Sequence, residues 1–526
     1  MPSSHRALEP RHAVELDPGR TFGRAHLWCL LFVTAVAAVL RLWNLGEWSI
    51  WVDEAHTWRD STMELKGEHG LLREDRVFYA LTFLLLRGLL NLGWIGGDEF
   101  SLRLPFALVG ILSVPVIALC GRRLVGASAA VLAAAFCACC PWHVYWSQNA
   151  RGYIFVFLFA AIAANRAFVA TETGRARDLL ATFAAIGVAT LFHTTGGMLA
   201  AGFFAFLFAR RFAARRRALA RIAVVVLVVG LALPWLVQHS PFQDFVRSKG
   251  EPSLLHFVQT AAYYYRPLVL VIGGAGLWVA LPVLGRDRTL LLGCLLLVPF
   301  FVLFVVGSQV TKVTARYAFC ALPVLLWLAA FACTRLAAAI DQSRLDPHGS
   351  LRPRRVAAAL LPVLLFAEYG LGDVWYHGSQ HGQRGLWREA CAMARARAGD
   401  GALRVLATSE PTCNYYLRPR YYSSGDVDAY PRLKVWPVET WLLAPDPKTN
   451  PPHAPGGEPH LRWHLAEAQR DAAQFVVLVS LPELQEKDLD GSVLATLRRD
   501  FELIAHLPCW VGPKDESIYV YVPKGP

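Results

Sequence analysis

Two adjacent carboxylates, Asp53 and Glu54, follow the first long apolar segment of the chain, within Trp48-Ser-Ile-Trp-Val-Asp-Glu-Ala-His56. A carboxylate can accept the proton of a hydroxyl group and so activate it as a nucleophile. Tryptophan favours the membrane–water interface, and acids at that depth are unfavourable unless they are solvated or bind something. The pair therefore indicates either a base in a polar cavity or two ordinary acids in a hydrated loop.

A second acidic group, Glu74-Asp75-Arg76, lies further along the same polar segment and precedes Phe78-Tyr79. Two interpretations are open. The group is either a solvated turn or a second source of carboxylates for the same cavity. His193, at a later turn between apolar segments, either lines that cavity or caps a helix.

Two basic sites interrupt the apolar pattern: Arg151 in Trp142-His-Val-Tyr-Trp-Ser-Gln-Asn-Ala-Arg-Gly-Tyr153, and Lys312 with Arg316 in Thr311-Lys-Val-Thr-Ala-Arg-Tyr317. The planar guanidinium group fits the oxygens of a phosphate. A single basic residue at a helix end is unremarkable, because its long side chain reaches the interface. Two such sites, together with the acidic segment, indicate a cavity that holds an anion next to a base.

The elements that position these residues follow from composition. The chain has 526 residues, of which 55% are hydrophobic and 17% are charged, whereas a soluble protein carries roughly a quarter charged residues. Apolar runs long enough to cross a bilayer recur through the first 370 or so residues. The net charge of +12 falls in short clusters between these runs, as expected for cytoplasmic loops, so nucleic acid is not an expected partner.

Placing every strongly basic loop on the cytoplasmic side predicts about eleven transmembrane helices. The N-terminus is then cytoplasmic and the C-terminus lies outside the inner (plasma) membrane. The predicted parts are a cytoplasmic tail (1–24), a membrane domain (25–372) with a first outer loop (44–100), and an outer domain (373–526). The segment 147–153 is expected to be exposed in a second outer loop.

Residues 373–526 are predicted to form a small α/β domain. A polar amphipathic helix is expected over 381–400, and strands are expected at 403–409, 475–480 and 517–522, with a Pro-rich loop over 444–459. The tail contains Cys391, Cys413 and Cys509. Outside the cytoplasm two of these could be bridged, which would leave one thiol over.

The order of these motifs resembles the polytopic glycosyltransferases of the C-type (GT-C) fold. The bacterial relatives of protein O-mannosyltransferases and of lipid A aminoarabinose transferases are the most similar branch. The segments that carry the resemblance are Trp51-Val-Asp-Glu, Asp98-Glu-Phe-Ser-Leu-Arg-Leu-Pro105, Gly121-Arg-Arg-Leu-Val-Gly126, Tyr145-Trp-Ser-Gln-Asn-Ala-Arg-Gly-Tyr153, His193 and Arg316-Tyr317. The resemblance covers roughly residues 25–340.

The resemblance implies transfer of a sugar from a polyprenyl-phosphate donor at the outer face of the bilayer. Such a reaction needs a base for the acceptor hydroxyl and cations beside the departing phosphate. Asp53 is then the base, Glu54 orients the acceptor or the sugar, and the donor phosphate is held by Arg316, Lys312 and Arg151. The remaining residues expected to bind substrate are Glu74, Asp75, Tyr79, Gln148, Tyr153, His193 and Tyr317.

The sequence departs from the family at two places. It has Glu74-Asp-Arg-Val-Phe-Tyr79 where relatives often have a His-Pro-Pro-type turn, and Asn149 where they commonly have an acid. The second departure puts in doubt any role of that acid in binding a metal or the acceptor, so no cofactor is expected with certainty and a divalent metal remains open.

Three alternatives differ from a protein glycosyltransferase. The acceptor could be a lipid or a cell-envelope glycan, and the sequence does not separate these acceptors. A transporter or flippase of lipid-linked sugars would place its charges near the bilayer midplane and show two related halves. A non-catalytic scaffold would use the outer domain to bind a partner.

Overall fold

The computed structural model describes residues 22–62, 80–212, 252–310, 312–342, 352–417, 438–442, 457–488, 490–511 and 514–525. The helices of the membrane part are α1 (Arg24–Leu42), α2 (Val52–Thr62), α3 (Ala80–Asn91), α4 (Glu99–Val125), α5 (Ala127–Ala138), α6 (Pro141–Ser147), α7 (Tyr153–Thr173), α8 (Ala176–Phe192), α9 (Gly197–Phe212), α10 (Leu254–Tyr265), α11 (Pro267–Val283), α12 (Arg286–Gln309), α13 (Leu322–Gln342) and α14 (Arg352–His377). Short 3₁₀ turns cover Thr194–Gly196 and Ala315–Ala321.

Among the described residues, five helices are long and apolar enough to cross a membrane, and two bent helix pairs would raise the number to seven. Large apolar side chains on these helices are exposed, such as Trp28 on α1 and Trp278 on α11, as expected where a helix faces lipid. The chain is therefore a multi-pass membrane protein. The predicted number of eleven spans is not confirmed, and residues 213–251 of the predicted membrane domain lie outside the described residues.

Both bent pairs break at a proline. α5 and α6 meet at 64°, where α6 begins with Pro141, and α10 and α11 meet at 89°, where α11 begins with Pro267. Proline cannot donate a backbone hydrogen bond to the preceding turn and disfavours helical conformation in the residue before it. The bends change the direction of the chain at the starts of α6 and α11.

The bend at Pro141 explains why one prediction is wrong. The segment 147–153 was expected to be exposed, yet Ser147, Gln148, Asn149 and Ala150 are all buried. Arg384, which follows α14, covers this segment by donating a hydrogen bond to the Gln148 carbonyl oxygen at 2.7 Å. The segment predicted to form the second outer loop is therefore part of the protein interior.

The polar segment after α1 also has a defined structure. Helices α2 and α3 pack against each other, so the predicted first outer loop contains two helices. Asp98 caps α4 by accepting a hydrogen bond from the Ser101 amide at 3.0 Å, which satisfies one of the free amides at a helix start.

The C-terminal part contains a five-stranded mixed sheet, as the predicted α/β class requires. Its elements are α15 (Trp387–Ala398), β1 (Leu403–Ala407), α16 (Glu410–Leu417), β2 (Val438–Leu442), α17 (Glu458–Arg470), β3 (Gln474–Ser480), α18 (Leu481–Lys487), α19 (Ser492–Asp500), β4 (Phe501–Leu507), β5 (Trp510–Val511), β6 (Lys514–Asp515) and β7 (Ile518–Pro523). The strand order is β2-β1-β3-β7-β4.

Strands β2, β1 and β3 are parallel, whereas β7 runs antiparallel to β3 and β4. The three strands predicted from the sequence are β1, β3 and β7. The predicted helix over 381–400 is shorter in the structure, because a 3₁₀ turn occupies His381–Gln383 and Leu386 has non-helical angles. Most of the loop predicted over 444–459 lies outside the described residues.

Candidate active site

Asp53 lies in the first turn of α2, where the partial positive charge of the helix N-terminus favours a carboxylate. Its Oδ2 atom lies 4.0 Å from Nη2 of Arg151, and its side chain keeps 29% of its exposure. Arg151 is anchored by donating to the Thr57 hydroxyl at 3.1 Å and, at 3.4 Å, to the Asp53 carbonyl oxygen. The structure therefore brings the predicted base together with one predicted cation.

Arg316 belongs to the same cluster. Its guanidinium group interacts electrostatically with Asp53, Tyr153 and Tyr264. It also lies 5.0 Å from the ring centre of Tyr317 and donates to that side chain's hydroxyl at 3.1 Å. Within the described residues its Nε has no hydrogen-bond partner, which leaves one donor of the fork for a ligand.

Arg316 lines a cavity of about 100 Å³ between the membrane part and the C-terminal part. Aromatic rings form much of its wall, among them Trp51, Trp142, Tyr145 and Tyr264. Trp142 and Tyr264 are stacked with their ring centres 4.1 Å apart. A partly buried cation among aromatic rings is a suitable site for an anionic group attached to an apolar body.

Tyr153 and His193 form one side of the cluster. The Tyr153 ring lies between Trp146 and His193, with ring centres 3.8 Å from each. His193 accepts a hydrogen bond from the Thr195 amide at 3.3 Å, so it caps the turn that follows. It also interacts electrostatically with Arg151 and Arg316. The structure therefore shows His193 as a capping residue, and its contact with substrate stays a prediction.

The Glu54 side chain is buried and has different partners from the neighbouring Asp53 side chain. Arg103 donates to both of its carboxylate oxygens, at 2.8 and 2.7 Å, and Arg384 donates to Oε2 at 3.2 Å. The Ala150 amide donates to Oε1 at 2.9 Å. Burial alone would raise the pKa of Glu54, but the charges of Arg103 and Arg384 outweigh burial and lower that pKa to about 2.

The contacts of Glu54 join three distant segments of the chain. Arg103 also donates to the carbonyl oxygens of Trp48 and Ser49, and Ala150 directly precedes Arg151. Glu54 thereby fixes the start of α2 against the buried 147–153 segment. Its contacts fit a positioning residue better than the predicted contact with acceptor or sugar.

Other predicted substrate residues are placed differently. Gln148 is buried, and its amide donates to the carbonyl oxygen of Trp43 at 2.7 Å while its oxygen accepts from Tyr376 at 2.8 Å. Lys312 is exposed, and its charge acts on His256. No contact between Lys312 and Asp53 occurs in the described part of the chain. Glu74, Asp75 and Tyr79 lie outside the described residues.

Sequence reasoning missed the two arginines that hold Glu54. Arg103 had a usable signal, since an arginine that precedes a long uncharged stretch of the apolar helix α4 must be paired or solvated. Arg384 had none, because it lies in an ordinary polar segment 330 residues from its partner. Arg384 is nevertheless completely buried and lines the small cavity.

Asn149 occupies the position where relatives commonly have an acid. Its side chain is fully buried, and neither its amide nitrogen nor its oxygen has a hydrogen-bond partner in the described parts of the protein. Buried amides are nearly always paired, so this unpaired amide is an exception. No cluster of three His, Cys, Asp or Glu side chains suited to a metal occurs within the same described ranges.

The fold and the site define a multi-pass membrane protein of the GT-C fold. ArnT from Cupriavidus metallidurans in the apo state is similar over 96% of this chain and 100% of its own, at 17% identity and a TM-score of 0.55. The same protein bound to undecaprenyl phosphate gives 16% identity and a TM-score of 0.54 over 95% and 100% of the two chains.

The archaeal oligosaccharyltransferase AglB from Archaeoglobus fulgidus, in complex with an inhibitory peptide and a dolichol-phosphate, is 13% identical with a TM-score of 0.53. The similarity covers 91% of this chain and 72% of that one. Residues 81–237 match the family described as dolichyl-phosphate-mannose-protein mannosyltransferase. The resemblance predicted from the sequence is confirmed. No curated protein matches the sequence.

Proposed function

We propose that this chain is a glycosyltransferase that moves a sugar from a polyprenyl-phosphate donor to an acceptor hydroxyl on the extracytoplasmic face of the cell membrane. The observation that carries the proposal is the placement of the Asp53 carboxylate 4.0 Å from Arg151 and within the electrostatic influence of Arg316. The cluster lies next to an aromatic cavity in a protein of the GT-C fold. A base and two cations at one place are what this transfer needs.

In the proposed reaction the acceptor hydroxyl oxygen attacks the anomeric carbon of the donor sugar. The bond from that carbon to the phosphate oxygen breaks, and the polyprenyl phosphate leaves with the bonding electrons. Asp53 takes the proton of the hydroxyl, since an aspartate is ordinarily ionised at neutral pH. Arg316 and Arg151 stabilise the negative charge that grows on the departing phosphate.

The similarity to proteins that bind undecaprenyl phosphate and dolichol-phosphate supports a lipid phosphate as the leaving group. The aromatic wall of the small cavity, with Trp142 stacked on Tyr264, would contact the sugar or the first part of the lipid. In this scheme Glu54 and Arg384 position the other residues and do not touch the reacting atoms.

The test replaces Asp53 with Asn and measures transfer from a defined polyprenyl-phosphate sugar in reconstituted vesicles. Removal of a general base lowers a rate by about 100- to 10,000-fold. Glu47→Gln is the matched control, because Glu47 is an exposed acid of the same segment and loses the same charge. Undiminished transfer by a correctly inserted Asp53→Asn protein would exclude Asp53 as the base.

A further inference from the structure

Part of the wall of the small cavity comes from residues that follow the membrane part. Trp51 and Arg316 line the cavity from the membrane part, whereas Gln383, Glu483 and Glu516 line it from beyond α14. Glu483 lies in α18, and Glu516 lies in the connection between β6 and β7; both residues are partly buried. The C-terminal part therefore contributes two carboxylates to the cavity whose arginine is assigned above to the donor phosphate.

Three other side chains of this wall have a buried polar atom without a partner. Gln383 is 9% exposed, and its Nε2 donates to the Tyr263 hydroxyl at 2.8 Å, while its Oε1 has no hydrogen-bond partner among the described residues. The same is true of the indole Nε1 of Trp142, which is 4% exposed, and of Trp51. Buried polar groups are nearly always paired. The wall thus has one unpaired acceptor and two unpaired donors.

These polar groups distinguish between the two halves of the donor. A phosphate held by Arg316 is joined on one side to the sugar and on the other side to the first isoprene unit. An isoprene unit in the cavity would take water from the Glu483 and Glu516 carboxylates without replacing their hydrogen bonds, which is unfavourable. A sugar hydroxyl both donates and accepts, so it pairs with the carboxylates and with the indole N–H groups. The cavity therefore suits the sugar better than the lipid.

We propose that this cavity binds the sugar of the polyprenyl-phosphate donor, and that Gln383, Glu483 and Glu516 determine which sugar is accepted. The inference rests on the function proposed above, because it assigns one half of the donor to a part of the same site. The substrate class is a sugar with free hydroxyl groups away from its anomeric carbon, since the phosphate occupies that carbon. A carboxylate accepts hydrogen bonds and cannot donate them, so a hydroxyl that faces it is not replaceable by fluorine without loss of affinity.

Backbone contacts hold the Glu516 segment against the segment that contains Gln383. The Glu516 amide donates to the Cys509 carbonyl oxygen at 2.8 Å, and the Cys509 thiol donates to the Arg384 carbonyl oxygen at 3.0 Å. A Cβ atom at Gly385 would lie 2.8 Å from the Glu516 carbonyl oxygen, so the close approach depends on a residue without a side chain. A wall that is already ordered loses less freedom when a ligand binds.

The test measures equilibrium binding to the full-length protein in detergent, without an acceptor, so that no transfer occurs. The probes share one polyprenyl chain: the polyprenyl phosphate without a sugar, and a panel of polyprenyl-phosphate monosaccharides that includes hexoses and pentoses. Glu483→Gln and Glu516→Gln keep the shape of each side chain and remove its charge. Glu502→Gln is the matched control, because Glu502 is an exposed acid on β4 and is not among the described residues that line the cavity.

The expected result concerns the monosaccharide donor that the natural protein binds most tightly. Its affinity should fall by about tenfold or more in at least one of the two acid variants, because a hydrogen bond to a charged group is lost. Binding of the polyprenyl phosphate without a sugar should be unchanged in both variants, which also shows that they fold. Fluorine in place of one sugar hydroxyl should weaken binding to the natural protein, and should weaken it less in the affected variant. Glu502→Gln should change none of these affinities.

Unchanged affinity for the monosaccharide donor in both acid variants overturns the proposal, and so does an equal loss for that donor and for the polyprenyl phosphate without a sugar. Failure of the proposed function is seen separately: the natural protein then binds no polyprenyl phosphate, or Arg316→Gln binds it as tightly as the natural protein does. If Arg316→Gln weakens that binding while the acid variants have no effect, only the assignment of the sugar to this cavity is refuted.

Discussion

The buried cluster around Glu54 gives a quantitative expectation for Glu54→Gln. The substitution keeps the shape of the side chain, removes its charge and places an amide group opposite Arg103 and Arg384. Breaking a buried ion pair costs about 3–5 kcal/mol. A pKa lowered from the ordinary 4.5 to about 2 corresponds independently to roughly 3 kcal/mol of preference for the charged form.

Loss of the Glu54 ion pairs should lower the thermal stability of the solubilised protein. It should also reduce transfer, because α2 and the 147–153 segment lose their common anchor. A matched measurement on Glu47→Gln removes an exposed acid of the same segment and should change stability by no more than about 0.5 kcal/mol. The difference between the two variants isolates the buried ion pair.

The same cluster predicts a dependence on pH. The pKa of Glu54 is lowered in the folded protein. The contribution of its carboxylate to the stability of the fold is therefore complete above pH 4.5 and disappears as the pH falls through about 2. The natural protein should therefore lose this stability on acidification, whereas Glu54→Gln should show a flatter profile. Equal stability of Glu54→Gln and the natural protein at neutral pH would refute the account of Glu54 as an anchor.

Three further predictions address other residues. Arg316→Gln should lower the rate of transfer by about 10- to 100-fold, because charged hydrogen bonds to the phosphate are lost. The melting temperature should change little. A rate equal to that of the natural protein would contradict the proposed role of Arg316. Asn149→Ala should leave thermal stability unchanged and slow transfer by up to about tenfold, whereas reduced stability with normal transfer would indicate a purely structural amide. On the proposed outer side of the membrane, the buried thiols of Cys391 and Cys413, which lie close enough to interact, should be joined by a disulfide while Cys509 stays a thiol. Peptide mass spectrometry without reduction, finding both as free thiols, would count against the pairing and that location.

Much of the fold could be predicted from the sequence because its signals are local. Apolar runs identify membrane helices, since each must satisfy its own backbone hydrogen bonds in lipid, and the β-rich segments gave β1, β3 and β7. Bends such as the one at Pro141 were harder to predict. The local sequence allows a straight or a bent helix, and only the packing around α6 decides between them.

The candidate site, like the fold, could be predicted from the sequence only in part. The sequence by itself determined that Asp53, Arg151 and Arg316 are unusual charges beside apolar segments, because desolvation makes such charges rare unless they have a partner or a ligand. Only the tertiary structure decided that Asp53 and Glu54, although adjacent, have different surroundings. Consecutive residues of a helix point about 100° apart, and the arginines that hold Glu54 come from positions 49 and 330 residues away. No local pattern contains partners that are this distant in the chain.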